Sequence, residues 1–414
     1  MRIGVIMYQT SNTRGQEVVA QRMVRGFIRI GHKAYLITSP YHDEKRTVSH
    51  YEFERNVDGY LFFEKSAVGV PAILVDGYLS NWPPRRIMFR NFVDALRIIV
   101  DTFDLDVLIT HSTLWNGPED TSKFVLWRRT LRNLGLDQRD ILYCHMSHFQ
   151  EPHPGRYSPV ERAYRMAWNR LAFPQIFHMA NLILVISPIS KEVMVKMGAR
   201  EEQCYLFPGG LDEELYKDYE KVDFEQFRQE HGIPSNKKVI SYVGTIEERK
   251  NPLAVIRVAR KLLDLDEVHF VIAGHGSDQE RKVRNEAREL KNVSYVGEIS
   301  DEEKVRLIKG SYANILMSRM EALGLTQLEF MYGGVPVITS AVGGQRWLVR
   351  DKVDGIHVNG PEDIEGAARA IKHLVENREI RDDMSENAKR RAQEFTLEKL
   401  TRGLEQKLQA AFLR

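Results

Sequence analysis

The chain has 414 residues, 28% of them charged, and a formal net charge of only +2. A surface so evenly balanced lacks the basic stripe that non-specific nucleic-acid binding needs, and runs such as Arg128-Arg129 and Lys389-Arg390-Arg391 read as solvated helix faces. The two cysteines, Cys144 and Cys204, are far apart and show no ligand spacing, which excludes a disulfide scaffold or zinc cluster and fits a reducing cytoplasm.

This length exceeds what one core usually serves, so two domains are expected. The amino terminus opens directly as a strand, without a basic-then-apolar signal segment. No apolar run approaches the roughly 18–20 residues that span a bilayer. A cytoplasmic enzyme is the expectation, with peripheral membrane contact through basic helices and the oligomeric state left open.

Arg2–Tyr8 is an apolar strand running into a polar loop that ends at Gly15. Val18–Ile30 has helical periodicity and stops at Gly31-His32, and Lys33–Thr38 is again a strand. This βαβ opening implies a parallel sheet. Residues 39–92 are the least regular, with Trp82-Pro83-Pro84 breaking any helix. The strands Val107–Thr110 and Ile141–Cys144 end at His111 and His145. Ligands of doubly wound sheets bind beyond the carboxyl ends of strands, which makes these histidines, with His148 and His153 nearby, candidates for chemistry. Leu182–Ser187 and the helix Ser190–Met197 lead to Cys204–Gly210, which reads as a strand and hinge.

The second half repeats the grammar: a strand Val239–Val243 into Gly244, a helix from Pro252 to Leu263, and a strand Val268–Ala273 ending in Gly274-His275-Gly276. A charged helix Asp278–Leu290, a strand Val293–Gly297 and a helix Asp301–Ile308 follow. Gly274-x-Gly276 is not a dinucleotide fingerprint, because Gln279 stands where the third glycine belongs. The last segment, about Ile380–Leu413, reads as helical and charged.

Residues 317–338 are the most informative. Glu321 and Glu329 flank Gly324-Leu325-Thr326, and the chain continues through Gly333-Gly334 into the strand Val335–Ile338. Apolar positions from Leu325 to Tyr332 predict a short buried helix stopped by the glycine pair. Its first N–H groups would be unpaired and would make an anion site beside Glu321. Glu329 would lie about one turn further in. Amides for a diphosphate, with carboxylates for sugar and ribose hydroxyls, suit a nucleotide sugar.

The Glu-x7-Glu stretch followed by Gly-x-Pro-Val-Ile resembles the donor-site motif of retaining GT-B glycosyltransferases, the group containing glycogen, sucrose and trehalose synthases. The resemblance is strong from about 239 to 350 and patchy from 40 to 170. It implies an α/β fold of two Rossmann-like domains with parallel sheets facing across a cleft. The first would span 1–207, with the helix at about 395–414 returning to it, and the second 208–394. It also implies a nucleotide-sugar donor, a hydroxyl-bearing acceptor, and no cofactor or metal.

Carried onto this sequence, the resemblance gives Glu321 the donor sugar hydroxyls, Glu329 the ribose, and the amides of Leu325 and Thr326, after Gly324, the diphosphate. Gly244-Thr245 with Arg249 and Lys250 would form the cationic phosphate loop. Lys250 matches the family lysine, whereas Thr245 stands where the family has arginine, a contact that adjacent Arg249 would take over. Ala322 replaces a glycine, and Trp347 a glutamate. Gly274 would lie near the nucleotide and Glu298 and Ile299 against the base. His145 and His148 are the candidates for the imidazole beside the reacting carbon. Only Gly15 remains of the family's first glycine pair, with Arg14 in the other place. The alternatives are a nucleotide-sugar epimerase or a non-catalytic nucleotide-sugar-binding protein of the same fold.

Overall fold

Both halves of the chain build a parallel sheet from strands buried on both faces. The computed structural model describes all residues except 12–14, 43–44, 47–54, 58–59, 64–65, 67, 81–85, 91, 113–140, 149–157, 277–278 and 414. Arg14, Trp82–Pro84, Arg128–Arg129, His153 and Asp278 therefore lie outside the described residues. Two units emerge: Met1–Gly210 together with Leu397–Arg414, and Leu211–Thr396.

In the first unit, β1 (Arg2–Ile6), β2 (Lys33–Thr38), β3 (Arg55–Val57), β4 (Tyr60–Phe63), β5 (Ala72–Leu74), β6 (Val107–Ser112), β7 (Leu142–Ser147), β8 (Leu182–Val185) and β9 (Cys204–Leu206) form one sheet. Its order is β9-β8-β7-β6-β1-β2-β5-β4-β3. The strands from β9 to β5 run parallel, and β4 and β3 add an antiparallel edge. Continuous Ile, Val and Leu runs suit strands covered by helices on both sides. Helix α1 (Gly15–Arg29) buries Val19, Met23, Val24 and Phe27. The C-terminal helix Leu397–Phe412 belongs to this unit, burying Leu397, Leu404 and Leu408 and pairing Glu405 with His32 at 2.9 Å.

The second unit holds β10 (Lys238–Val243), β11 (Val268–Ala273), β12 (Val293–Gly297), β13 (Ser311–Leu316), β14 (Val337–Thr339) and β15 (Gly355–His357). They are all parallel, in the order β12-β11-β10-β13-β14-β15. Helices α2 (Pro252–Lys261), α3 (Glu280–Arg288), α4 (Asp301–Gly310) and α5 (Leu325–Tyr332) alternate with the strands. The apolar faces of α2 and α3 join Ile240, Tyr242, Phe270, Ile272 and Ile315 in one core. Helix α4 is started by a capping box, with Ser300 and Glu303 satisfying each other's backbone N–H groups.

In each sheet the chain reverses direction of growth beside its first strand: between β1 and β6 in the first unit, and between β10 and β13 in the second. Loops leaving the carboxyl ends of those strands form the crevice where such sheets hold ligands. Several strands differ from the sequence reading, among them the short strands β3, β4, β5 and β15, which it did not contain. Ser311–Leu316 was not anticipated. β7 extends to Ser147, three residues past the expected end, because β6 and β8 pair with it over that length. No described helix is long and apolar enough to cross a membrane.

Candidate functional site

The loop after β10 and the loop after β13 meet at the switch point of the second sheet. Glu248–Lys250 form a single 3-10 turn, and Asn251 adopts a left-handed conformation (φ 52°) before Pro252 opens α2. The Asn251 side chain fixes this corner by donating to Pro361 O at 2.8 Å. The neighbouring loop is stitched on by Arg319 N donating to Arg249 O (2.8 Å) and by the Arg249 guanidinium donating to Met320 O (3.2 Å). Between them, Lys250 Nζ lies 2.5 Å from Glu321 Oε2, with both side chains largely buried. Burial pushes the Glu321 carboxyl up, but Lys250 and Arg249, the latter 3.9 Å away, together hold it below the usual glutamate range. Glu321 is therefore an anion at neutral pH, positioned to accept hydroxyl donors.

Arg249 itself is committed to Glu247 at 2.5 Å, and Thr245 Oγ1 donates to the same carboxylate at 3.0 Å. The residue at the family's arginine position thus turns toward Glu247, and Arg249 reaches the site edgewise.

Helix α5 begins at Leu325 after Gly324, which takes φ 101°, and no side chain caps it. Its first internal bond runs from Leu328 N to Gly324 O at 3.0 Å. The amides of Leu325, Thr326 and Gln327 therefore lack intrahelical acceptors, and the helix dipole adds to their pull on an anion. Glu329, one turn in, is buried and pairs with Lys304 of α4 at 3.1 Å. The loop carrying Glu321 rests on Gly343 and Gly344, where an added Cβ would stand 2.0 Å from Glu321 O and 1.9 Å from Ala322 O. Trp347, at the family's glutamate position, packs edge-on against Phe395 with Arg391 over its ring, so it serves packing.

Gly274 explains itself sterically. At φ 140°, its missing Cβ would lie 1.8 Å from Gly244 O, so the two loops can touch only through glycine. Ile246 N donating to His275 O at 3.0 Å closes that contact. Glu298 is exposed and Ile299 half-buried just beyond β12.

Sequence reasoning missed two features. Gln327 and Gln345 are fully buried beneath the Glu321 loop, with Gln345 Nε2 donating to Gln327 Oε1 at 2.9 Å, leaving Gln327 Nε2 a buried donor with no protein acceptor. In the first unit, Glu17 is fully buried and accepts from Tyr8 and Gln9, both at 2.8 Å, at the carboxyl end of β1. Glutamate on the apolar face of α1 was the available signal. Gly15 opens α1 and is exposed.

The histidines of the first unit separate by environment. His145 lies within β7 rather than beyond it, is fully buried, and bonds Thr110 Oγ1 through Nδ1 at 2.9 Å. His148 follows the strand, keeps 7% exposure and meets His111 at 3.1 Å. Burial depresses His145 and His148 to about 3, and His111 well below its ordinary value, so all three are neutral at pH 7. A histidine depressed in the folded state contributes stability that is complete above its unfolded value of about 6.5 and is lost as pH falls toward the folded value. Acidification from about pH 6.5 toward 4 should therefore lower the melting temperature. A His145→Gln variant should lose less over that window. Parallel Tm–pH curves for the two proteins would remove His145 from the explanation.

Two Rossmann-like sheets, each with its switch-point loops, define the GT-B architecture. Solved structures agree. Anabaena Alr3699/HepE in complex with UDP superposes with TM-score 0.73 at 16% identity, covering 99% of this chain and all of the other. Sucrose-phosphate synthase from Thermosynechococcus elongatus gives 0.72 at 19% identity over 100% of this chain and 99% of that one. Among sequence relatives, a D-inositol 3-phosphate glycosyltransferase of Corynebacterium aurimucosum is 25% identical over 304 residues, 71% of this chain and 69% of the relative. An uncharacterized glycosyltransferase of Methanocaldococcus jannaschii is 24% identical over 280 residues, 62% and 71% respectively. The profile for glycosyl transferases group 1 matches residues 223–391, and that for glycosyltransferase family 4 matches 13–215. Both halves of the chain thus match glycosyltransferase families, the second half that of the glycosyl transferases group 1.

Proposed function

We propose that the enzyme is a retaining, metal-independent transferase that moves a hexose from a nucleoside-diphosphate sugar to a hydroxyl acceptor. The observation that carries this is the buried Lys250–Glu321 pair, held at the switch point of a sheet whose next helix, α5, starts uncapped. A leaving diphosphate needs fixed positive charge and amides where its charge develops. Lys250 and the α5 amides supply both, so the chemistry calls for no bound cation. Glu321 takes the sugar hydroxyls and Glu329 the ribose. Front-face attack, with the departing phosphate taking the acceptor proton, would retain the anomeric configuration. His145 and His148 are assigned to the sugar on family resemblance. Both are buried, and of the two only His148 keeps any exposure, 7%.

The acceptor is a saccharide or a glycolipid precursor. The names of several relatives add a polyol phosphate to that set. The test is to incubate the protein with UDP-, GDP-, ADP- and dTDP-sugars and these acceptors, with EDTA present, and to read the product's anomeric proton coupling by NMR. The α-linked product of an α-donor supports the proposal. An inverted product, or activity only with added divalent metal, contradicts it. Glu329→Ala should raise the Kd for the cognate nucleoside diphosphate several-fold or more, measured by calorimetry. An unchanged Kd would take the ribose away from Glu329.

A further inference from the structure

A second concentration of charge lies at the opposite end of the same sheet. The candidate donor loops leave the carboxyl ends of β10 and β13, whereas a cavity of about 470 Å³ opens where Lys238 and Ser311 begin those strands. Six residues of strand, about 20 Å, separate the two. The cavity is lined by Arg228, Lys237, Lys238, Lys309, Arg378 and Arg381, against a single carboxylate, Asp382. A chain of net charge +2 has no general excess of cations to scatter, so this convergence is local. Like charges gathered in a concavity repel one another, and the field they focus is attractive to an anion.

The countercharges stand at the rim. Lys237 pairs with Asp266 at 2.9 Å, Lys238 with Glu267 at 2.5 Å, Lys309 with Glu220 at 2.9 Å and Arg228 with Glu225 at 3.1 Å. In each pair the cation is the more enclosed partner: side-chain exposure is 17% for Lys237 and 82% for Asp266, and 29% for Lys309 against 80% for Glu220. Arg381 and Arg378 both reach Asp382, at 3.1 and 3.5 Å. Surface pairs of this kind contribute little to stability, so a better anion can displace the rim carboxylates. The cations are also held in place by aromatic rings. Lys238 and Arg381 lie 5.2 and 4.9 Å from the Tyr312 ring, whose hydroxyl is tied to Leu374 O at 2.8 Å, and Lys309 lies 4.7 Å from that of Tyr219.

We propose that this cavity is a second anion site, separate from the donor site, that binds a phosphate-bearing ligand. Three arginines offer forked donors and three lysines point charges, the set that matches phosphate oxygens. The volume suits a small phosphorylated molecule or a lipid headgroup rather than a polynucleotide strand. The site is independent of the proposed transfer chemistry, and the test keeps the two apart.

The test titrates the full-length chain with inorganic pyrophosphate at low salt. Lys250→Ala, whose donor site is impaired, should still bind, and adding Lys238→Gln/Arg381→Gln to it should weaken binding at least about tenfold. Arg381 also donates to Tyr312 O, so Lys237→Gln/Lys309→Gln serves as a second variant that spares that contact and should weaken binding too. Circular dichroism and Tm confirm that each variant folds. Sedimentation with phosphatidylcholine vesicles, with and without phosphatidylglycerol, separates the sources. Lysine-dependent pelleting with anionic vesicles assigns a headgroup, and pyrophosphate binding without pelleting assigns a free phosphorylated molecule. Pyrophosphate affinity that is the same in both folded charge-removal variants, or lost in Lys250→Ala alone, overturns the proposal.

Discussion

Lys250→Ala should lower turnover by at least about one order of magnitude, since removing one fixed charge-stabilising donor costs about two to three. Two effects add. On the proposed reading the leaving diphosphate loses a lysine, and Glu321 loses the ammonium 2.5 Å away that keeps it ionised against its own burial. With Arg249 at 3.9 Å and committed to Glu247, little remains to replace that charge. The carboxyl of Glu321 should then titrate higher, and the acid limb of the pH–rate profile should move toward neutrality. Lys250→Arg would restore charge without the lysine's compact shape and should recover part of the rate. Steady-state kinetics of the two variants across pH check this. Unchanged kcat in Lys250→Ala would remove the lysine from the chemistry.

Gly344→Ala should destabilise the second unit strongly through one added methyl. Gly344 has ordinary helical dihedrals, so the added methyl strains no torsion, yet it would stand 1.9 Å from Ala322 O and 2.8 Å from Leu323 Cα. Both are backbone atoms, and they cannot swing aside as a side chain would. The loop that carries Glu321 must move, at about 2–4 kcal/mol. For a unit of this size the melting transition should drop by about 5–15 °C. Gly360→Ala is the control: its φ is 93°, but nothing lies within 4 Å of the added atom. It should cost about 1 kcal/mol, from torsional strain alone. If the two variants melted together, close loop packing would not be what holds Glu321.

Much of the scaffold could be read in the sequence because its elements are short, apolar and punctuated. Helix α5 begins at Leu325 and stops at Gly333-Gly334 as the glycines demand, and β11 and β12 fall between turn residues at both ends. β13 escaped notice because Lys309-Gly310-Ser311-Tyr312 breaks the apolar run at its start. The end of β7 was misjudged for a different reason. His145-Met146-Ser147 has no strand signature of its own and is held in the sheet by its neighbours, which is why His145 is fully enclosed, whereas His148 keeps 7% exposure.

Pairings between distant residues were beyond any periodicity. Glu329 with Lys304, Gln327 with Gln345, and His111 with His148 join elements that meet only when the sheets assemble. The resemblance assigned Lys250 and Glu321 to one ligand. Their direct contact, and the diversion of Thr245 and Arg249 onto Glu247, come from the fold.

The most direct measurement is calorimetric titration of the purified chain with UDP, GDP, ADP and dTDP, each with and without magnesium. The donor-site account predicts micromolar binding of one of them, independent of magnesium, weakened in Lys250→Ala and in Glu329→Ala. Binding of none, or of one with an affinity that both variants leave intact, would contradict it.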